Sequence, residues 1–374
     1  MSSTTIPPKT VVALWTRAGG RCEYEGHNEL LWRDDLTSAD INVGLIAHIV
    51  ADSPDGPRGD PVRSPQLAKK LSNLMLLCHA HHRLIDIDDV SGHPEDRLVA
   101  MKRAHETRIE RLTSIGPEMR TQIVSFRTVI GEHRTSRDSA AMREAVAVSR
   151  YPVPEELHLD LTLDALTERD PAFWQANRRE LESLFDQRLR WRLAEAGAHF
   201  SVFALAPISL LIAFGRLLGD KTAADVYQKH RVPCGWQWAM DAPPLEYHIK
   251  PPDAAGSAAD VVIVLSVTDT VQTPHVDAFA PQEWPRYQLR IDHPRLDIVR
   301  CPDDVARFRG KWIELLSTIR ATHHVHAPRL HIFPAIPNSL AVELGRSLLP
   351  KAHSPLRIYD LNGDRDGFVF TLEL

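Results

Sequence analysis

The chain has 374 residues, a formal net charge of −5 and 43% apolar residues, which suits two ordinary domains and excludes wholesale disorder. The mild acidity excludes a protein that coats nucleic acid by bulk charge, and four cysteines are too few for a disulfide scaffold of this size. The longest apolar run, Phe200 to Gly215, is broken by Pro207 and Ser209 and is short of a bilayer span, and Met1 to Lys9 has no signal-peptide core, so the expectation is a cytoplasmic protein without a membrane role.

In chain order, residues 1 to about 94 are rich in turn formers and histidine. Ala51 to Pro65 holds four prolines and two glycines and reads as a loop. Leu98, Met101, Ile109 and Leu112 recur at helical spacing and predict a helix over Glu95 to Leu112. Ile115-Gly116-Pro117 then stops the chain, which places a domain boundary there and gives domains 1–116 and 117–374. Beyond it, strands and helices alternate. Strands are predicted at Gln122–Ile130, His158–Leu163, His199–Leu205, Val261–Val267, Trp284–Ile291 and Arg329–Phe333. Helices are predicted at Arg137–Ser149, Phe173–Ala196, Ile208–Leu218, Pro302–Thr322 and Ser339–Leu349. A hairpin over Leu356 to Leu374 turns at Asn362-Gly363-Asp364. The fold class is α/β, α+β overall.

The segment Phe203 to Leu218 returns 130 residues later as Phe333 to Leu348, with seven of sixteen positions identical and no gap. A short strand follows each copy, Val226-Tyr227 and Ile358-Tyr359. Matching Pro and Gly at both ends of a helix imply two related halves within the second domain, with the repeat near 199–227 and 329–359.

Seven of the 19 histidines precede residue 110, beside two of the four cysteines. Cys22 and His27, then Cys78 and His81, form two short ligand pairs about fifty residues apart. Zinc takes four N or S ligands, and paired knuckles supply them from loops. His79 is an alternative to His81. His48 follows an apolar strand, Asn73 opens Asn73-Leu-Met-Leu-Leu-Cys78, and His82 directly follows the knuckle. One such imidazole can deprotonate water near neutral pH, and another can hold a divalent cation against phosphate.

The order Cys22, His48, Asn73, Cys78-x2-His81-His82 resembles the HNH (ββα-metal) endonucleases. The stretches Ala47 to Gly59 and Asn73 to Cys78 look like the HNH-SAVED effectors of cyclic-oligonucleotide anti-phage signalling (CBASS). Pro207 to Asp220, Tyr227-Gln-Lys-His-Arg231, Trp236-Gln-Trp238 and His331 to Pro337 look like a SAVED domain, which is similar to two fused CARF-like Rossmannoid halves. The resemblance implies a zinc-stapled HNH domain followed by a SAVED sensor. It makes His48 the general base, Asn73 the motif amide and His82 the ligand of a catalytic Mg²⁺, with Mn²⁺ or Ni²⁺ as substitutes in vitro. Cys22, His27, Cys78 and His81 would hold structural Zn²⁺. The residue before the base, commonly an acid in the family, is Ala47 here, so another acid such as Asp86 or Asp88 is needed.

The implied activity is hydrolysis of double-stranded DNA, switched on when a cyclic di- or trinucleotide, a cGAMP isomer being favoured, drives homo-oligomerisation to a dimer or tetramer. Helix starts at Pro207-Ile-Ser209 and Pro337-Asn-Ser339 suit phosphate through free N–H groups. Trp236, Trp238 and Phe333 suit base stacking, and Gln228, Arg231, Pro334 and Asn338 complete the candidate ligand set. The aromatics suit the core equally, and the Pro-Ser pairs also serve as plain caps. From Arg97 to Arg150 there are eleven Lys or Arg against six Asp or Glu, which suits either phosphate contact or a solvated face. A restriction-type endonuclease sensing modified bases, or a non-catalytic zinc-containing DNA-binding regulator, are the alternative readings.

Overall fold

The computed structural model describes the chain except residues 1–3, 35–36, 131–132, 135–136, 163–165, 254–257, 324–327, 349–353 and 363–366. It divides into two compact units, Met1–Gly116 and Pro117–Leu374.

The first unit opens with a helix that sequence reading leaves unassigned, α1 (Pro8–Ala18). Proline at its first turn pre-sets the helical φ there. Strand β1 (Leu45–His48) and, after the short helix α2 (Arg63–Leu67), strand β2 (Leu74–Leu77) pair antiparallel, with His48 opposite Leu74. All four β2 residues are buried, because helices cover the strand where an open hairpin would expose every second side chain. Helix α3 (His79–Arg83) follows at once and runs into a π-turn over Leu84–Asp88. Helix α4 (Glu95–Thr113) closes the unit, burying Leu98 and Met101 against Leu14 and Ala18 of α1.

The second unit is built twice from one plan. The first half comprises β3 (Arg120–Arg127), the short pair β4 (Val129–Ile130) and β5 (His133–Arg134), α5 (Ser139–Val146), β6 (Tyr151–Pro152), β7 (Leu157–Asp160), α6 (Pro171–Arg188), β8 (Phe200–Leu205), α7 (Ile208–Leu218) and β9 (Ala224–Tyr227). The second comprises β10 (His248–Lys250), β11 (Asp260–Ser266), α8 (Thr273–Asp277), β12 (Arg286–Arg290), α9 (Pro302–Thr322), β13 (Arg329–Ala335), α10 (Asn338–Arg346), β14 (Leu356–Asn362) and β15 (Gly367–Glu373). The parallel order β7-β3-β8-β9 in one half matches β12-β11-β13-β14 in the other. Helices α7 and α10 pack on each other, and one apolar core runs through both halves.

Predicted boundaries shift by a few residues at several elements, and two helices show why. The helix expected over Phe173–Ala196 ends at Arg188. There the Phe185 carbonyl accepts from both Leu189 and Arg190, and the chain continues as a 3-10 turn at Arg192–Ala194. The helix expected from Arg137 starts at Ser139, where Asp138 caps it by accepting from Ala141 N–H. The turn residues Gly363 and Asp364 of the final hairpin lie outside the described residues.

Candidate functional site

Cys22 and His27 lie in the loop after α1, and Cys78 caps α3, one turn before His81. Their donor atoms all lie within 4.8 Å of one another. Cys78 Sγ is 3.2 Å from His81 Nδ1 and 3.8 Å from His27 Nδ1, and Cys22 Sγ is 3.6 Å from His81 Nδ1. Tetrahedral Zn–S and Zn–N bonds put donors roughly 3.4–3.8 Å apart, so this set fits the ion. Burial pushes the Cys22 thiol up to about 11, with Cys78 beside it adding repulsion, so a thiolate there requires a cation. Burial holds His81 below the usual histidine range, which keeps it the neutral imidazole a metal needs. Outer partners fix both rings: Tyr24 stacks on His81 at 4.0 Å, and His27 Nε2 lies 3.2 Å from Glu29. His79 is not in this set.

His48 ends β1 and is 8% exposed. Its Nε2 donates to the Ala68 carbonyl at 2.9 Å, because a carbonyl only accepts. In the neutral ring that bond leaves the lone pair on Nδ1. Asn73 holds the neighbouring loop: Oδ1 accepts from Val50 N–H and Nδ2 donates to Val50 C=O, each at 2.8 Å. His82, on α3 packed beside β1, has its basicity lowered by burial, with His79 and His48 adding repulsion and Asp86 opposing it. Asp86 Oδ2 lies 3.8 Å from His82 Nε2, while Asp88 pairs with Arg83. Of the two acids considered in place of Ala47, Asp86 is the one beside His82.

Sequence reading missed Arg58. Its half-buried guanidinium donates to the carbonyls of Ile49 (2.6 Å), Ile85 (2.8 Å) and His48 (3.4 Å) and to Asp86 (2.6 Å). It ties the end of β1 to the π-turn. The only signal was its place in a Pro/Gly loop, which does not reveal where the side chain reaches.

Six of the eleven bases in the basic stretch stand in ion pairs. Arg97 pairs with Glu25, Lys102 with Glu23 and Glu106, Arg127 and Arg137 with Asp160, Arg143 with Glu156 and Arg150 with Asp225.

In the second unit the repeat is visible atom by atom. Phe203 stacks on Tyr227 at 4.5 Å, and Phe333 on Tyr359 at 4.4 Å. The two helix starts are closed crosswise. Ser209 donates from N (3.3 Å) and Oγ (3.4 Å) to Asp360, and Ser339 from N (3.1 Å) and Oγ (2.8 Å) to Gln228 Oε1. Gln228 and Asp360 occupy equivalent places, each directly after the stacked tyrosine. A family model described as "SMODS-associated and fused to various effectors sensor domain" (SAVED) matches residues 180–374, more than half of the chain.

The chain belongs to the SAVED family.

Solved structures that the chain resembles include the Acinetobacter baumannii Cap4 SAVED/CARF-domain containing receptor with the cyclic trinucleotide 2′3′3′-cAAA. It is 11% identical, with a TM-score of 0.46, over 75% of this chain and 55% of that one. The same receptor with 3′3′3′-cAAA gives 12% identity and a TM-score of 0.42, over 75% of this chain and 59% of that one. The Moraxella osloensis Cap4 receptor gives 10% identity and a TM-score of 0.41, over 68% and 50%. This chain thus spans between 50% and 59% of the length of each. No curated protein matches the sequence.

In the SAVED domain both expected phosphate sites are engaged in internal hydrogen bonds. Ser209 and Ser339 are buried, and their N–H groups donate to Asp360 and Gln228. Phe333, Trp236, Pro207 and Pro334 are buried, and Gln228 is committed to Ser339. Burial wins at these positions because each aromatic fills the core of its own half. Of the predicted ligand set, Arg231 is exposed, and Trp238 and Asn338 are half-buried, Asn338 donating to the Ala204 carbonyl at 3.3 Å. His323 is buried, accepting from Ala258 N–H at 3.2 Å, while His324 and His326 lie outside the described residues. No described helix is long and apolar enough to cross a membrane.

Proposed function

We propose that this protein is a DNA endonuclease gated by a cyclic oligonucleotide, with an HNH-type nuclease in residues 1–116 and the SAVED domain as the sensor. The observation that carries the nuclease reading is the pair His48 and His82. Both sit on adjoining β1 and α3, and neither belongs to the Cys/His set that suits zinc. A purely structural knuckle needs no such pair.

His48 Nδ1 takes a proton from the attacking water, and the Ala68 carbonyl holds the ring in the tautomer this requires. Asn73 fixes the loop behind the base, and Arg58 fixes Asp86 beside His82. His82 and Asp86 would hold a divalent cation, which when bound neutralises charge on the phosphate and the departing oxygen. Cleavage separates the 3′ oxygen from phosphorus as the water oxygen joins it.

The family's role as a sensor supports a regulatory second domain, and its two equivalent halves suit a small, nearly symmetric ligand. A cyclic di- or trinucleotide is the ligand class proposed, acting through oligomerisation. The test is DNA cleavage with Mg²⁺ across a panel of cyclic di- and trinucleotides, for wild type and His48→Ala. One ligand should trigger cutting in wild type only, with zinc content and melting unchanged in the variant. Undiminished cutting by His48→Ala overturns the site, and equal cutting without ligand overturns the gating.

A further inference from the structure

β14 and β9 hold equivalent places in the two halves, yet their outer edges differ. β15 runs antiparallel along β14, whereas no described strand continues the sheet beyond β9. Leu356 of β14 exchanges two main-chain hydrogen bonds with Leu374, at 2.9 and 3.0 Å. Its counterpart by register on β9 is Ala224. There Arg346 donates to the Ala224 carbonyl at 3.4 Å and to the Thr222 carbonyl at 2.6 Å. A guanidinium thus stands where a neighbouring strand would place its N–H. The carbonyl keeps a second lone pair for such a neighbour.

Along this edge lies a cavity of about 500 Å³. Ala224–Tyr227 form one wall, and Trp238, Met240 and the first turns of α9 form others. Glu343 and Arg346, both buried and ion-paired with each other, also line it. An open sheet edge beside apolar walls is the complement of an extended peptide.

The second half shows how such a strand is held. Arg178 on α6 donates to the main-chain carbonyl of Glu373 at 2.7 Å, and Arg357 of β14 pairs with the Glu373 side chain at 3.3 Å. The counterpart of Arg178 on α9 is Arg309, which lines the cavity. The counterpart of Arg357 is Asp225, whose side chain stays 48% exposed beside Arg150 at 3.0 Å and His199 at 3.6 Å. The charge is reversed, so the matching strand needs a base where β15 carries Glu373. The chain's own β15 has the wrong sign and is already engaged, which disfavours a second copy.

We propose that the groove along β9 binds an extended segment of a partner protein, added antiparallel to the sheet edge, apolar at alternate positions and with Lys or Arg facing Asp225. The probe is a fluorescent peptide of the Gly367–Leu374 sequence carrying Glu373→Lys, titrated into the full chain. Saturable binding is expected, about threefold tighter than for the unsubstituted peptide, with that preference lost in Asp225→Asn. Slowed amide exchange at Ala224–Tyr227 should accompany it. Absence of saturable binding, or binding without protection of β9, overturns the proposal. Self-association of the chain that protects β9 without peptide also overturns it, in favour of a second copy.

Discussion

Gly215 and Gly345 each lie against the backbone of the other's helix. A Cβ on Gly215 would sit 2.0 Å from the Val342 carbonyl oxygen, and one on Gly345 would sit 2.0 Å from that of Ile212. Backbone cannot yield as a flexible side chain can. Alanine at either position should therefore force α7 and α10 apart, costing about 3 kcal/mol or more. The two variants should be matched in effect. Urea unfolding of the SAVED domain checks this, and an unchanged midpoint in either variant contradicts the packing.

Removing one sulfur from the Cys22, His27, Cys78, His81 set should release zinc. Cys78→Ser is expected to lose the ion by elemental analysis and to melt the first unit at lower temperature, because metal binding and folding are one event in small sites. The unfolding transition of the second unit should stay where it was. Full zinc retention in this variant would remove Cys78 from the ligand set.

Arg58→Lys tests the guanidinium beside His48. A lysine reaches one or two of the four acceptors, leaving buried carbonyls unmet. A loss of about 2–4 kcal/mol in the first unit is expected, together with weakened cleavage and unchanged zinc content. Wild-type melting would show that water replaces the guanidinium at no cost.

Asp360 offers a pH readout. Burial pushes its carboxyl up to about 7 from 3.8, with Glu168 adding to the effect and the Ser209 N–H opposing it. The folded state thus prefers the protonated acid. Stability from this group is full below about pH 3.8 and is lost as pH rises through about 7. Asp360→Asn copies the neutral form and the amide of its counterpart Gln228. At pH 8 it should stabilise the domain by about 1–2 kcal/mol, discounted for partial exposure, and at pH 5 by less. A wild-type pH profile in Asp360→Asn would refute this.

Much of the second unit was legible because its strands carry continuous apolar runs bounded by Pro and Gly. Ile208–Leu218 and Pro302–Thr322 coincide with the observed helices, since Pro sets their starts and Gly219 follows the first. The repeat was readable from Phe, Pro, Gly and Arg at fixed spacing. What spacing could not show was direction. Ser209 and Ser339 occupy helix starts, as phosphate binders do, but their N–H groups turn to Asp360 and Gln228, residues 151 and 111 positions away. α1 was missed because its short apolar stripe lies between a Ser/Thr/Pro-rich start and Gly19-Gly20. The Cys22, His27, Cys78, His81 cluster was legible because metal ligands carry their own short spacing.

The crosswise bonds at the two helix starts bear on how such a domain can be divided. Ser209 of the first half is closed by Asp360 and Thr371 of the second, and Ser339 of the second by Gln228 of the first. Neither half carries the partners that its own α7 or α10 requires. Severed polypeptides corresponding to the halves would each be left with unmet donors and a bare helix face, and would recover order only by complementing each other.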